Sequence, residues 1–239
     1  MPTIKTTCIA AVLAAGVAIG CGDDRPAANA ASEQAVRPGE VFFEDALDNN
    51  ANGWFEVEDL VYIGGGKYVW KEIPDGRGGA SGPELAPENP APDGVSISVD
   101  ANVTRGAALR TVTCRELGTR EELQDWYELG IDGRRALIRR MTADGPPKVL
   151  KAVEAPVQNG RSVRITGHCV PDGKKLVLAL ALDGREVTRA TDNNPLPAQR
   201  GGTRGTFGLH AYRRPDSDGS ADMTWDAFTV RTASLPQQR

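Results

Sequence analysis

Three Asp-Gly dipeptides, at 132–133, 172–173 and 183–184, each fall between runs of strand-forming residues. A two-residue hairpin in a type I′ turn needs positive φ at both central positions, which Asp and Gly tolerate. The spacing predicts a meander of long antiparallel strands from Trp126 to Ala190. Asn52-Gly53 and Asn159-Gly160 add turn signals before and within it. Glycine (27) and proline (16) are plentiful enough to serve many such turns.

The runs between the turns have strand periodicity. Val95-Ser96-Ile97-Ser98-Val99 and Val163-Arg164-Ile165-Thr166 alternate apolar with polar, as half-buried strands do. Lys174–Leu182 is more evenly apolar, which suits a strand covered on both faces. Further strands are expected from Val41-Phe42-Phe43, Ala107–Cys114, Trp126–Ile131, Ala136–Met141, Val149–Val153, Thr206–Tyr212 and Met223–Val230. One stretch argues for a short helical turn: Thr119-Arg120-Glu121-Glu122 has capping-box spacing, which places the turn at 119–124. Residues 74–93 read as a long Pro/Gly-rich loop without an aromatic residue, a mobile cover or spacer.

The first 20 residues form an export signal. Lys5 precedes an apolar run from Cys8 to Ile19 that is shorter than the roughly 20 residues a membrane-spanning helix needs. Ala18-Ile19-Gly20-Cys21 then resembles the lipobox of bacterial lipoproteins, with Ala18 where that family usually has Leu. The resemblance implies a diacylglyceryl group on Cys21, which becomes the new N-terminus. Ordinary signal cleavage after Ala18 or Ala30 is the alternative. Residues 21–39 have too little apolar surface to order themselves and read as a flexible tether. A domain over 40–232 and a tail over 233–239 complete the division. The expected location is the cell envelope, outside the cytoplasm and lipid-anchored to a membrane. There, Cys114 and Cys169 are most simply a disulfide.

Charge excludes one class of partner. The 28 basic and 32 acidic residues interleave, with a net charge of −4 and no basic block, so nucleic acid is not expected to bind.

An ordered set of short motifs carries a second resemblance. It runs through Phe43-Glu44-Asp45, Asn52-Gly53-Trp54 and Gly66-Lys67-Tyr68, then Cys114-Arg115, Tyr127–Ile131, Gly133–Ile138 and Cys169-Val170. It ends in Leu182-Asp183-Gly184, Gly205-x-Phe207-Gly208-Leu209 and Trp225–Val230. The pattern over about 40–231 resembles the concanavalin-like jelly rolls of LamG and glucanase type. The resemblance implies an all-β sandwich of two antiparallel sheets, a bridge between Cys114 and Cys169, and a tendency to bind glycans or proteins. The Pro/Gly insertion at 74–93 is the main departure.

Candidate chemistry is sparse. Glycoside hydrolysis needs two carboxylates flanking the scissile bond. Glu56-x-Glu58-Asp59 does not match the Glu-x-Asp-x-Glu strand of the related glucanases, and Glu128 lacks a nameable partner. His168 and His210 are the only histidines, and each reads as structural. Asp48-Asn49-Asn50-Ala51-Asn52-Gly53, with Asp59 at the twelfth position, has the alternating oxygens of a Ca²⁺ loop. The same residues are ordinary in hairpins. Tyr68 and Trp70 share a strand face and, with Trp54, make a candidate ligand platform, or else core packing. The reading these features support is a surface-displayed, non-catalytic binding or sensing domain for glycan or envelope-protein ligands. A carbohydrate-active hydrolase on the same fold is the alternative.

Overall fold

The computed structural model describes residues 35–74, 78–83, 91–118, 123–142, 145–197, 207–213 and 219–236. Its strands are β1 (Arg37–Asp45), β2 (Val61–Ile63), β3 (Tyr68–Ile73), β4 (Gly78–Ser81), β5 (Val95–Arg105), β6 (Leu109–Gly118) and β7 (Leu123–Ile131). They continue as β8 (Arg135–Thr142), β9 (Gly145–Glu154), β10 (Val163–Asp172), β11 (Lys175–Leu182), β12 (Arg185–Asp192), β13 (Phe207–Tyr212) and β14 (Ala221–Ser234). The expected export signal, Cys21 and most of the expected tether lie outside the described residues. Among the described residues no helix is long and apolar enough to cross a membrane.

Two antiparallel sheets result. The larger runs β12-β11-β10-β5-β14-β3-β2, with β1 pairing the far half of β14. The smaller is six-stranded, β4-β13-β6-β7-β8-β9. All three Asp-Gly turns join neighbouring antiparallel strands. Only Asp183-Gly184 has positive φ at both residues, 50° and 79°. At Asp132 the carboxylate instead accepts the backbone N–H groups of Arg134 and Arg135, and only Gly133 is left-handed.

The expected single meander is divided. β7-β8-β9 belong to the six-stranded sheet and β10-β11-β12 to the larger one, so the chain changes sheet between Glu154 and Val163. Two local expectations also change. Gly78–Ser81 of the Pro/Gly-rich segment is strand β4, paired with β13, while 75–77 and 84–90 lie outside the described residues. Residues 119–122 of the expected helical turn are outside too, and Leu123 and Gln124 are already in β7. Gly78–Ser81 at the sheet edge gains a ladder against β13 that a free loop would lack.

Between the sheets lies one core. Ile97, Val99, Ala101 and Val103 alternate along β5, and Leu176, Leu178 and Leu180 along β11, all at 0% exposure. Val112, Leu129, Ile131 and Ile138 answer from the six-stranded sheet. The 0–7% exposure of Leu176–Ala181 matches the reading of a strand covered on both faces. Cys114 of β6 and Cys169 of β10 form a disulfide that staples the two sheets through this core.

Candidate functional site

The disulfide fixes which way each strand faces. Cys114 points to the opposite sheet, so its neighbour Thr113 points away from it, onto the outer face of the six-stranded sheet. Directly paired residues share a face. Thr113 pairs with Glu128 and with Gly208, Glu128 pairs with Arg139, and Thr111 pairs with His210. Trp126 lies two residues from Glu128 on the same side. Four strands therefore bring Thr113, Trp126, Glu128, Arg139 and His210 to one patch.

Glu116 joins them through a break in the strand. In a regular strand it would face inward with Cys114. Arg115 instead takes φ 52°, and the β6–β7 register shifts between Cys114 and Leu117. This bulge turns Glu116 onto the outer face, where the Thr113 hydroxyl donates to its Oε1. β-bulges commonly re-aim a side chain in this way. Arg115 is held in its left-handed state by a 2.6 Å hydrogen bond from its guanidinium to the Leu196 carbonyl. Gly208 leaves room beside Glu116: a Cβ there would stand 3.1 Å from Glu116 Oε1 and 2.4 Å from the Ser81 carbonyl.

The two carboxyl groups differ in chemistry. Glu128 is fully buried and surrounded by donors. Its Oε1 accepts from Trp126 Nε1 at 3.0 Å and lies 2.7 Å from His210 Nδ1. Its Oε2 accepts from Arg139 Nε at 2.9 Å and from Nη2. Burial alone would push its pKa up, but His210 and Arg139 outweigh burial and hold it down at about 2. Glu116 has one neutral donor instead of a cation. Burial pushes its pKa up, the Thr113 hydrogen bond opposes this, the charge of Glu128 adds to it, and the value reaches about 8. One carboxyl is therefore ionised and the other protonated at neutral pH, on one patch of sheet.

His210 is oriented by its carboxylate. The 2.7 Å Nδ1···Oε1 separation is bent away from a linear hydrogen bond, yet two bare lone pairs would not approach so closely. Nδ1 therefore carries a proton and is aimed at the carboxylate. Trp126 packs against the imidazole edge-on, with centroids 6.2 Å apart. Among the described residues, His210 Nε2 and Glu116 Oε2 take no hydrogen bond, and neither belongs to the sealed, unpartnered atoms. They are the free ends of two side chains that are only 8% and 3% exposed.

The aromatic platform is corrected. Trp54, Tyr68 and Trp70 are 2%, 0% and 4% exposed and sit in the core. Tyr68 and Trp70 do share a face of β3, but it is the inward one: the Trp70 ring lies 3.3 Å from where a Cβ on Gly79 of β4 would stand. Trp54 packs tilted against Tyr68 and edge-on against Phe228, with centroids at 5.5 and 5.1 Å. No ligand can lie on these rings.

The Asp48–Asp59 segment is organised by a residue outside the motif. Asp45 accepts from Leu47 N, Asn52 Nδ2 and Trp54 Nε1, each at 2.7 Å. Asn50 Nδ2 donates to the Trp54 carbonyl at 2.9 Å, while its Oδ1 is buried without a partner. Asp59 lies in a left-handed turn between Val57 and Val61. Among the described residues, no group of three or more His, Cys, Asp or Glu side chains is placed to hold a metal ion. His168 is on β10 of the other sheet, its pKa lowered by burial.

No family model and no curated protein matches this sequence. Solved structures do share its architecture. Carbohydrate-binding module CBM66 from Bacillus subtilis superimposes with a TM-score of 0.50 at 12% identity, covering 76% of this chain and 92% of that one. The Emp47p carbohydrate recognition domain gives 0.53 at 10% identity, covering 79% and 94%. A β-glucanase from Bacillus licheniformis gives 0.53 at 10% identity, covering 82% and 99%. The fold is a concanavalin-like jelly roll. At such identities the likeness extends to the backbone only. The site on this jelly roll rests on its own residues: the bulge at Arg115 and the pairing of Glu128 with Arg139 and His210.

Proposed function

We propose that this chain is an exported envelope protein, anchored through lipid on Cys21, whose jelly roll binds glycan on the outer face of the six-stranded sheet. One observation carries the reading. That face gathers a Trp edge, an oriented His, an Arg and two carboxyl groups onto rigid strands, with Trp126 and Arg139 its partly exposed members. Few, fixed polar groups beside an aromatic ring are what recognition of a hydroxyl-rich ligand requires. Solved jelly rolls of this shape include proteins described as carbohydrate-binding and carbohydrate-recognition domains, which supports the ligand class.

A glycan array probed with residues 22–239, with and without calcium, tests the reading. Retention of defined glycans supports it. A blank array in both conditions rejects it in favour of a protein ligand in the envelope. Calcium-dependent retention would support a Ca²⁺ site at the loop of Asp48, Asn50, Asn52 and Asp59. For the anchor, Cys21→Ser is expected to release the protein from membranes, and continued membrane retention would remove the lipid.

A further inference from the structure

We propose that Arg110 binds a small monovalent anion of the chloride class between the two sheets. This site lies inside the sandwich and is separate from the glycan-binding face.

Arg110 is the second residue of β6 and faces inward, on the side of Val112 and Cys114. It is 0% exposed, and its Nε, Nη1 and Nη2 are all sealed from solvent without a hydrogen-bond partner. The other enclosed arginines have acceptors: Arg139 has Glu128, Arg140 has Asp192, and Arg115 has the Leu196 carbonyl. A guanidinium stays protonated in proteins, so Arg110 cannot shed its charge as a buried lysine can. A buried charge with neither counter-charge nor acceptor is among the costliest features a core can hold. One bound anion supplies both.

The neighbouring positions suit such an ion. Arg110 pairs with Ala211, and Ala211 with Gly79, so one row crosses β6, β13 and β4. Over the two strand spacings beyond Arg110, about 10 Å, the row carries nothing larger than a methyl group. At its far end the Trp70 ring of β3 closes it, 3.3 Å from where a Cβ on Gly79 would stand. Among the described residues of β3, β6 and β14, the sealed side-chain atoms without a partner are all nitrogen donors, Trp70 Nε1 and Trp225 Nε1 besides the arginines. Donors without acceptors call for a species that only accepts, and a halide does. One guanidinium balances one negative charge, which selects a monovalent ion over sulfate or phosphate. Arg110 stands three residues from the exposed Ala107 at the end of the sandwich, a short route for an ion to enter.

Thermal melts in sodium chloride, bromide and fluoride test the site, with sodium isethionate holding the ionic strength constant. Fluoride is the control, because it gives up its hydration water least readily. The wild-type Tm is expected to rise by about 3–5 °C for each tenfold increase in chloride or bromide above Kd, and not to respond to fluoride. The rise is expected to persist in Arg164→Met, which removes a half-exposed arginine of the larger sheet. It is expected to vanish in Arg110→Met, which melts above the wild type in chloride-free buffer. Chlorine-35 NMR gives a second readout: the wild type broadens the chloride line and Arg110→Met does not. Should Arg110→Met fail to fold, Arg110→Lys takes its place. Without the planar fork it is expected to need at least tenfold more chloride for the same rise in Tm. A wild-type Tm that chloride leaves unchanged overturns the proposal. So does an equal rise, or equal line broadening, in Arg110→Met, and so does an unaltered chloride dependence in Arg110→Lys.

Discussion

Glu116 accepts a hydrogen bond from Thr113, three residues back in the same strand. Residues so spaced in a regular strand face opposite ways. The contact exists because Arg115 turns the backbone through φ 52°, a conformation that costs a non-glycine residue about 1–3 kcal/mol. The consequence is a protonated carboxyl placed beside an ionised one.

That placement gives stability a pH dependence of definite sign. Below about 4.5, Glu116 is protonated in both the folded and unfolded chain. Between 4.5 and about 8 only the folded state keeps the proton, so stability falls as pH rises through this window and then levels off. Glu116→Gln is expected to abolish that slope and to melt higher than the parent above pH 8. Urea titrations from pH 4 to 9 check it, and equal slopes in the two proteins would contradict it.

Glu128 has the opposite dependence. Its pKa is held down at about 2, so the stability it contributes is present above 4.5 and is lost as pH falls toward 2. Glu128→Gln strands the Arg139 guanidinium and the His210 ring in a buried place. Removing one partner of such a pair costs about 3–5 kcal/mol, measurable by denaturant midpoint at pH 7.

Arg110 makes the reverse case. It is fully buried between the sheets, burial pulls its pKa down to about 10, and none of its guanidinium nitrogens has a hydrogen-bond partner. Arg110→Met is therefore expected to stabilise the fold by about 1–3 kcal/mol. A loss of stability would show that the guanidinium holds a partner in solution.

Tyr127 ties the two sheets at their edge. Its hydroxyl donates to Asp192 at 2.7 Å and accepts from Leu196 N at 3.0 Å. Tyr127→Phe leaves the buried Leu196 N–H unsatisfied and removes one donor from Asp192, which keeps Arg140 and the Asn194 N–H, and is expected to cost about 1–3 kcal/mol. Reducing the Cys114–Cys169 bridge, which closes a loop spanning a sequence separation of 55, is expected to cost about 4 kcal/mol.

Strand positions were readable because each depends on local pattern; the jelly roll followed from the family resemblance, and the cysteine pair from that resemblance and the expected location outside the cytoplasm. Alternation marks Val95–Val99, and Asp-Gly marks the hairpins at 132, 172 and 183. The change of sheet after Glu154 was not readable, since no residue type signals which edge a strand will join. Burial of Tyr68 and Trp70 could not be read either: a shared strand face is visible in sequence, but its direction depends on β4, which is only Gly78–Ser81.

The site was not readable from the turn signals. A two-residue turn at Asp132-Gly133 would set Ile131 against Arg134 and Glu128 against Leu137, whereas the ladder sets Ile131 against Ala136 and Glu128 against Arg139. Glu116 could not be read either, because the bulge at Arg115 reverses the parity that sequence counting relies on. His210 reaches Glu128 through β13, nearly 100 residues away in the pairing of Thr111 with His210, and only the sheet order brings it there.

The outer face of the six-stranded sheet is the ligand surface in this account, and affinity mapping tests that most directly. Titration of an array-selected glycan into the wild type, Trp126→Ala and Arg164→Ala compares this face with the other sheet, where Arg164 pairs with Asp100. The predicted result is at least a tenfold loss of affinity for Trp126→Ala and no change for Arg164→Ala. Equal affinity in Trp126→Ala and the wild type, or a loss confined to Arg164→Ala, would contradict the account.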